Sequence, residues 1–153
     1  MFPIGATFRH FPSAILASAM NATLSPYLNF NGNAAEAMRF YQSVLGGELN
    51  IQTFGDAGMA QNDTEKNLAL HAALTSDGIT LFASDGRPDV KVVFGDNVHL
   101  SLQGSDSEKL TGYFNGLAAG GHVDMPLAKQ FWGDTFGMLT DKFGAHWMVN
   151  ITA

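Results

Sequence analysis

Apolar and polar positions along the chain follow two rhythms, and the order in which they change is used twice. "TLSPYLNF" is apolar and β-prone and ends at Asn31-Gly32, a turn dipeptide, so a strand is predicted there. In "NAAEAMRFYQSVLGG" the apolar residues Ala37, Phe40, Tyr41, Val44 and Leu45 recur at helical spacing, and Gly46-Gly47 supplies a left-handed helix end. "ELNIQTFGD" reads as a second strand and "GMAQNDTEKN" as a polar loop. "LALHAALT" and "ITLFASD" are two more strands, joined by the hairpin signal Ser76-Asp77-Gly78.

The same order then returns. "NVHLSLQG" is a strand, and "SDSEKLTGYFNGLAAGG" is a helix whose Ser105 and Glu108 are spaced as a capping box. "HVDMPLAKQ" is extended, and "DTFGMLTD" with "AHWMVNI" forms a last hairpin turning at Lys142-Phe143-Gly144. "FYQSVLGGELNI" lies over "YFNGLAAGGHVDM", and "LTSDGITLF" over "LTDKFGAHWM", each with one inserted residue. A repeat of this length is one supersecondary unit used twice. The expected fold is α+β: two tandem βαβββ modules, about residues 20–90 and 96–153, packed together because neither can bury its sheet alone.

Residues 1–19 stand apart as an N-terminal extension. Ala17-Ser18-Ala19 imitates a signal-peptidase site, but the apolar stretch before it is short and broken by Pro12, which favours a retained extension. Residues 20–153 are expected to form one domain.

Composition narrows the function classes. Of the 153 residues 46% are apolar and 14% charged, enough apolar mass for a packed core. The net charge is −6 with no run of Lys or Arg, which argues against nucleic acid. No apolar run is long enough to span a bilayer. Cysteine is absent, which removes thiolate metal sites and Cys nucleophiles and agrees with a cytoplasmic location.

A doubled βαβββ unit with "RFYQSVLGGEL" after its first strand and "FWGDTFGMLTDKFGAHWMVNI" at its end resembles the vicinal oxygen chelate superfamily, which holds glyoxalase I, extradiol dioxygenases and bleomycin- and fosfomycin-resistance proteins. The ending is most similar to its PhnB-like branch. The resemblance covers about Thr23 to Ile151 and implies the glyoxalase/bleomycin-resistance/dioxygenase fold, with a curved-sheet cleft shared by the modules. It also implies four pseudo-symmetric ligand places, on the first and last strands of each module. Counting back from the helix aromatics and across the repeat, these places fall at Pro26, Phe82, His99 and Met148. Pro and Phe cannot bind a divalent metal, and thioether sulfur suits soft metals, so the standard metal site reads as lost and no cofactor is expected. A slip in the alignment would bring His146 or Asn150 into the place of Met148.

The remaining chemistry is spread along the chain. His99, at a functional place in the repeat, is the candidate catalytic residue, with His71 as its partner. His71 lies among apolar strand residues, where an imidazole is also at home as a hydrogen-bonded structural group. In the final stretch Phe136, Met138 and Trp147 are expected in the core, and Asp141 is expected to accept from backbone N–H groups. Trp132 and Asp134, just before the seventh strand, are the candidate ligand contacts, with Phe82 and Met148 as further walls. Covering a sheet edge or making a dimer contact is the competing role for Trp132.

Two functions follow. In one, the chain binds a small molecule in the cleft between modules without a metal. In the other, it is a glyoxalase-like lyase, isomerase or dioxygenase using His99 and a divalent metal held by a non-standard ligand set. A methyltransferase gains no support, because a parallel βαβ pattern with a Gly-rich nucleotide loop is lacking. A homodimer is expected from the resemblance and from the low charge.

Overall fold

The computed structural model describes residues 22–153, so the N-terminal extension lies outside the described residues. The chain runs β1 (Tyr27–Asn29), α1 (Ala34–Leu45), β2 (Glu48–Thr53), β3 (Ala69–Ser76), β4 (Ile79–Ser84), then β5 (Leu100–Gly104), α2 (Ser107–Ala118), β6 (His122–Lys129), β7 (Thr135–Thr140) and β8 (His146–Ile151). The strands form two four-stranded sheets, ordered β1-β4-β3-β2 and β5-β8-β7-β6. In each sheet the first strand pairs parallel with the last, and the other pairs are antiparallel. This is the doubled βαβββ unit expected from the repeat.

Each helix lies on its own sheet. Ala34, Ala37, Met38, Tyr41 and Leu45 make the buried stripe of α1. Its start is held from a distance: Asp85, just after β4, accepts from the N–H of Gly32 (2.8 Å), Ala34 (3.0 Å) and Ala69 (2.8 Å). A carboxylate at a helix N-terminus satisfies donors that would otherwise be orphaned and complements the helix dipole. In α2 the cap is Asp106, which accepts from the N–H of Lys109 at 3.0 Å. The expected Ser105–Glu108 capping box is therefore corrected by one residue: the helix begins at Ser107 and Glu108 sits inside its first turn.

The two modules share one core. Its fully buried large side chains include Phe30, Met38, Tyr41 and Leu74 from the first module and Leu117, Leu139, Trp147 and Val149 from the second. Asp141, only 3% exposed, ties the halves together. One carboxylate oxygen accepts from the Tyr41 hydroxyl (2.7 Å) and the Trp147 indole N–H (2.8 Å). The other accepts from the N–H of Phe143 (2.8 Å) and Ala145 (3.0 Å), closing the β7–β8 turn. Burial pushes the Tyr41 pKa far up, and the adjacent Asp141 carboxylate adds to the shift.

The phase of β7 differs from expectation. Trp147 is in the core, but Phe136 and Met138 are half-buried on the opposite face, and Gly137 and Leu139 point inward. A Cβ on Gly137 would lie 2.8 Å from Cε2 of Phe114 and 2.9 Å from Cα of Leu127. The α2 aromatic presses so close to the strand that only glycine fits beneath it.

Candidate functional site

The face of each sheet turned away from the helices is where chemistry collects, because period-two alternation sends there every side chain not needed in the core. On the first sheet, Tyr27 of β1, Phe82 of β4 and His71 of β3 form one aromatic cluster. Tyr27 stands opposite Phe82 in the ladder, and the three ring centroids are 5.4 to 6.0 Å apart. The Tyr27 hydroxyl and His71 Nδ1 share a hydrogen bond of 2.8 Å.

On the second sheet the corresponding face carries two successive rungs. In one, Met125 of β6 pairs with Met138 of β7, which pairs with Met148 of β8, which stands opposite Ser101 of β5. In the next, Thr140 pairs with His146, whose ring lies 5.3 Å from that of His99. The Thr140 hydroxyl donates to Asp124 Oδ2 at 2.8 Å and is 2.9 Å from His146 Nδ1. Its single proton being committed to Asp124, the bond to His146 must carry an Nδ1–H. The neutral imidazole then has its lone pair on Nε2. Asp124 also lies 3.7 Å from Nε2 of the exposed His122.

Two cavities meet at the seam between modules. A groove of about 670 Å³ runs between Thr23–Pro26 and Ile79–Leu81 on one side and Val98–Leu102 on the other, with His99 in its wall. A pocket of about 150 Å³ is lined by Leu28, Phe30, Phe94, Leu100 and His146. Val98 and Leu100 line both, so the His99–His146 pair stands where the two adjoin.

The expected site residues are therefore distributed as follows. His99 and His71 lie in different modules, and each ring packs against its own neighbours: His71 on Tyr27 and Phe82, His99 on His146. The first-strand place opposite Phe82 is held by Tyr27 and not Pro26, and that opposite Met148 by Ser101 and not His99. The shift, one residue in the first module and two in the second, arises in the connection to the helix. Asn29 and Gln103 hold matching ladder positions, yet Tyr41 follows Asn29 by 12 residues and Phe114 follows Gln103 by 11. Trp132 is 50% exposed and packs edge-on against Phe131 and Phe136 at the tip of the β6–β7 connection. Asp134 accepts from the Asn150 amide at 2.9 Å and from the Ala153 N–H at 3.3 Å, so its carboxylate is engaged in holding the end of β8.

Sequence reasoning missed Tyr27, Met138, Thr140 and Asp124. Period two in β8 already put His146 and Met148 on one face. The β6 partners needed a register that contains bulges, which spacing alone does not reveal. Among the described residues no group of three or more His, Asp and Glu gathers closely enough to hold a metal ion, and no helix is long and apolar enough to cross a membrane.

Comparison with known proteins agrees with this architecture. The pattern defining the 3-demethylubiquinone-9 3-methyltransferase family matches residues 22–150. Protein YjdN of Escherichia coli is 34% identical over 139 residues, spanning 84% of this chain and 94% of its own. The crystal structure of PA1353 from Pseudomonas aeruginosa superposes with a TM-score of 0.78 at 38% identity, covering 86% of this chain and 98% of that one. The PhnB protein of Bacillus cereus gives 0.69 at 25% identity, covering 86% and 100%. The fold is also that of a glyoxalase/bleomycin resistance protein/dioxygenase from Alicyclobacillus acidocaldarius, with a TM-score of 0.54 at 14% identity over 86% and 92% of the two chains. The chain thus belongs to the PhnB-like family described as 3-demethylubiquinone-9 3-methyltransferase, and its fold is the one seen in glyoxalase/bleomycin resistance/dioxygenase proteins.

Proposed function

We propose that this chain binds a small organic molecule against the helix-free sheet faces at the module seam, without the hard divalent metal centre used by enzymes of the superfamily. The observation that carries the reading is the donor set at the strand pairs where ligands are expected: Tyr27 with Phe82, and Ser101 with Met148. A hard divalent ion wants carboxylate, imidazole or several oxygens, and an aromatic pair and a thioether do not fit it. The same residues suit an apolar or planar ligand, with aromatic walls and a few polar groups to orient it. The methyltransferase description attached to the family gains no support from the architecture, since both sheets are mixed rather than parallel and doubly wound.

The helix-free faces remain half-exposed in the single chain, which supports a homodimer that covers them. A second reading, a lyase, isomerase or dioxygenase-type enzyme using His99, is favoured by one observation, the 5.3 Å approach of the His99 and His146 rings. Metal analysis of the purified protein, then calorimetric titration with Zn, Ni, Mn and Fe(II), separates the two. The binding reading expects no stoichiometric divalent metal and no heat. One bound divalent ion per chain, lost in His99→Ala, refutes it and moves the protein to the enzymes. Ligand screening then follows quenching of Trp132, with Trp132→Phe as the control.

A further inference from the structure

We propose that the helix-free face of the second sheet holds a soft monovalent cation, copper(I), between the thioethers of Met138 and Met148 and Nε2 of His146. Met125 and His99 flank the site. The inference does not depend on the small-molecule reading above.

Two independent observations point to it. The first is the methionine rung. Met125, Met138 and Met148 occupy consecutive positions across β6, β7 and β8. Directly opposed side chains on one sheet face have Cβ atoms about 4.5–5.5 Å apart, and methionine has three rotatable bonds to bring its sulfur inward. Met138 and Met148 are half-buried, so their sulfurs are partly withdrawn from water without being consumed by the core. The other buried methionine, Met38, is fully enclosed in the core, and Met59 is exposed and remote from the rung in sequence. Thioether sulfur is a weak ligand for hard or borderline ions and a good one for copper(I).

The second observation is the orientation of His146. It lies two residues before Met148 on the same face of β8, and its strand neighbour Thr140 lies two residues after Met138 on the same face of β7. Met138, Met148 and His146 therefore occupy three corners of one cross-strand square. The fourth corner, Thr140, fixes the imidazole: His146 donates Nδ1–H to the Thr140 hydroxyl, which donates to Asp124. A ligating histidine characteristically gives its other N–H to a partner of this kind, which leaves Nε2 free for the metal and raises its basicity. A neutral set of two sulfurs and one nitrogen suits a trigonal monovalent ion. Asp124 already accepts from Thr140, and Asp134 from Asn150.

The test uses silver(I) as an air-stable probe of copper(I) coordination. The full chain is titrated with silver nitrate in chloride-free buffer and followed by native mass spectrometry and calorimetry. The Met ε-methyl signals are watched by NMR. One silver ion per chain is expected, with the Met138 and Met148 methyls shifting and the Met38 and Met59 methyls unmoved. The double variant Met138→Leu/Met148→Leu conserves volume, so the fold persists, and its silver affinity is expected to fall at least about tenfold. His146→Gln is expected to weaken binding, and Thr140→Val to weaken it less. Competition with bathocuproine disulfonate under anaerobic conditions then reads copper(I) itself. Absence of stoichiometric silver binding overturns the proposal. So does binding that survives the double methionine substitution, or methyl shifts confined to Met59.

Discussion

Removing the carboxylate of Asp141 is the severest single test of how the two modules are joined. Its two oxygens accept four hydrogen bonds at 2.7 to 3.0 Å, and the residue is 3% exposed. Asp141→Ala leaves the Tyr41 hydroxyl and the Trp147 indole N–H without partners in the core, and two turn N–H groups with only what water can reach. An unsatisfied buried donor costs about 1–3 kcal/mol, and bonds to a charged acceptor sit at the strong end. Two such donors plus partial loss of the turn give about 4–6 kcal/mol, a large part of the about 5–15 kcal/mol that holds a domain together. Tyr41→Phe removes one donor and leaves the carboxylate three, so it should cost only about 1–2 kcal/mol. Urea unfolding followed by tryptophan fluorescence measures both, with the slope m checked for constancy. Should Asp141→Ala lie within about 1 kcal/mol of wild type, the hub is not what joins the halves and the shared apolar cluster alone must do so.

Two further predictions rest on the same core. Tyr41 has its pKa raised by burial and by Asp141, so in the folded protein it should stay protonated past pH 10, about where a free tyrosine side chain ionises. The unfolded state loses that proton first. The stabilising contribution is therefore full below about pH 10 and declines above it by up to about 1.4 kcal/mol per pH unit. Spectrophotometric titration at alkaline pH that shows every tyrosine ionising together before unfolding would contradict this. Gly137→Ala places a methyl 2.8 Å from the Phe114 ring and 2.9 Å from the Leu127 backbone, and should destabilise by about 1–3 kcal/mol in thermal melts. Shortening the ring with Phe114→Leu should recover part of that loss.

The fold was legible because its signals are long and redundant. Helical spacing from Ala37 to Leu45, glycine stops and two hairpin signals each recur, and one unit explains both halves. Phase within strands was less legible. In β7 the bulky residues Phe136 and Met138 point outward because Phe114 leaves room only for glycine beneath it. A rule that sends apolar mass inward inverts there. The ligand places slipped along the first strands, by one residue from Pro26 to Tyr27 and by two from His99 to Ser101, because the two strand-to-helix connections differ in length, which the helix aromatics cannot report. The Asp124–Thr140–His146 chain depends on a bulged register in β6, a property of three-dimensional pairing with no local signature. Asp134 shows the opposite limit: its position before β7 was read correctly, but its carboxylate is committed to Asn150.

The two buried carboxylates differ in what they wait for. Asp85 finds all its donors between Gly32 and Ala69, within chain already made when it emerges. Asp141 reaches back 100 residues to Tyr41 and forward to Trp147. On a ribosome the first module can thus seat its helix while the second is still being synthesised, in the usual N-to-C order. Until the last hairpin arrives, the Tyr41 hydroxyl lacks its acceptor. A chain that stops short of Asp141 leaves the Tyr41 hydroxyl facing an open polar socket, so the polar link between the modules closes only with the β7–β8 hairpin.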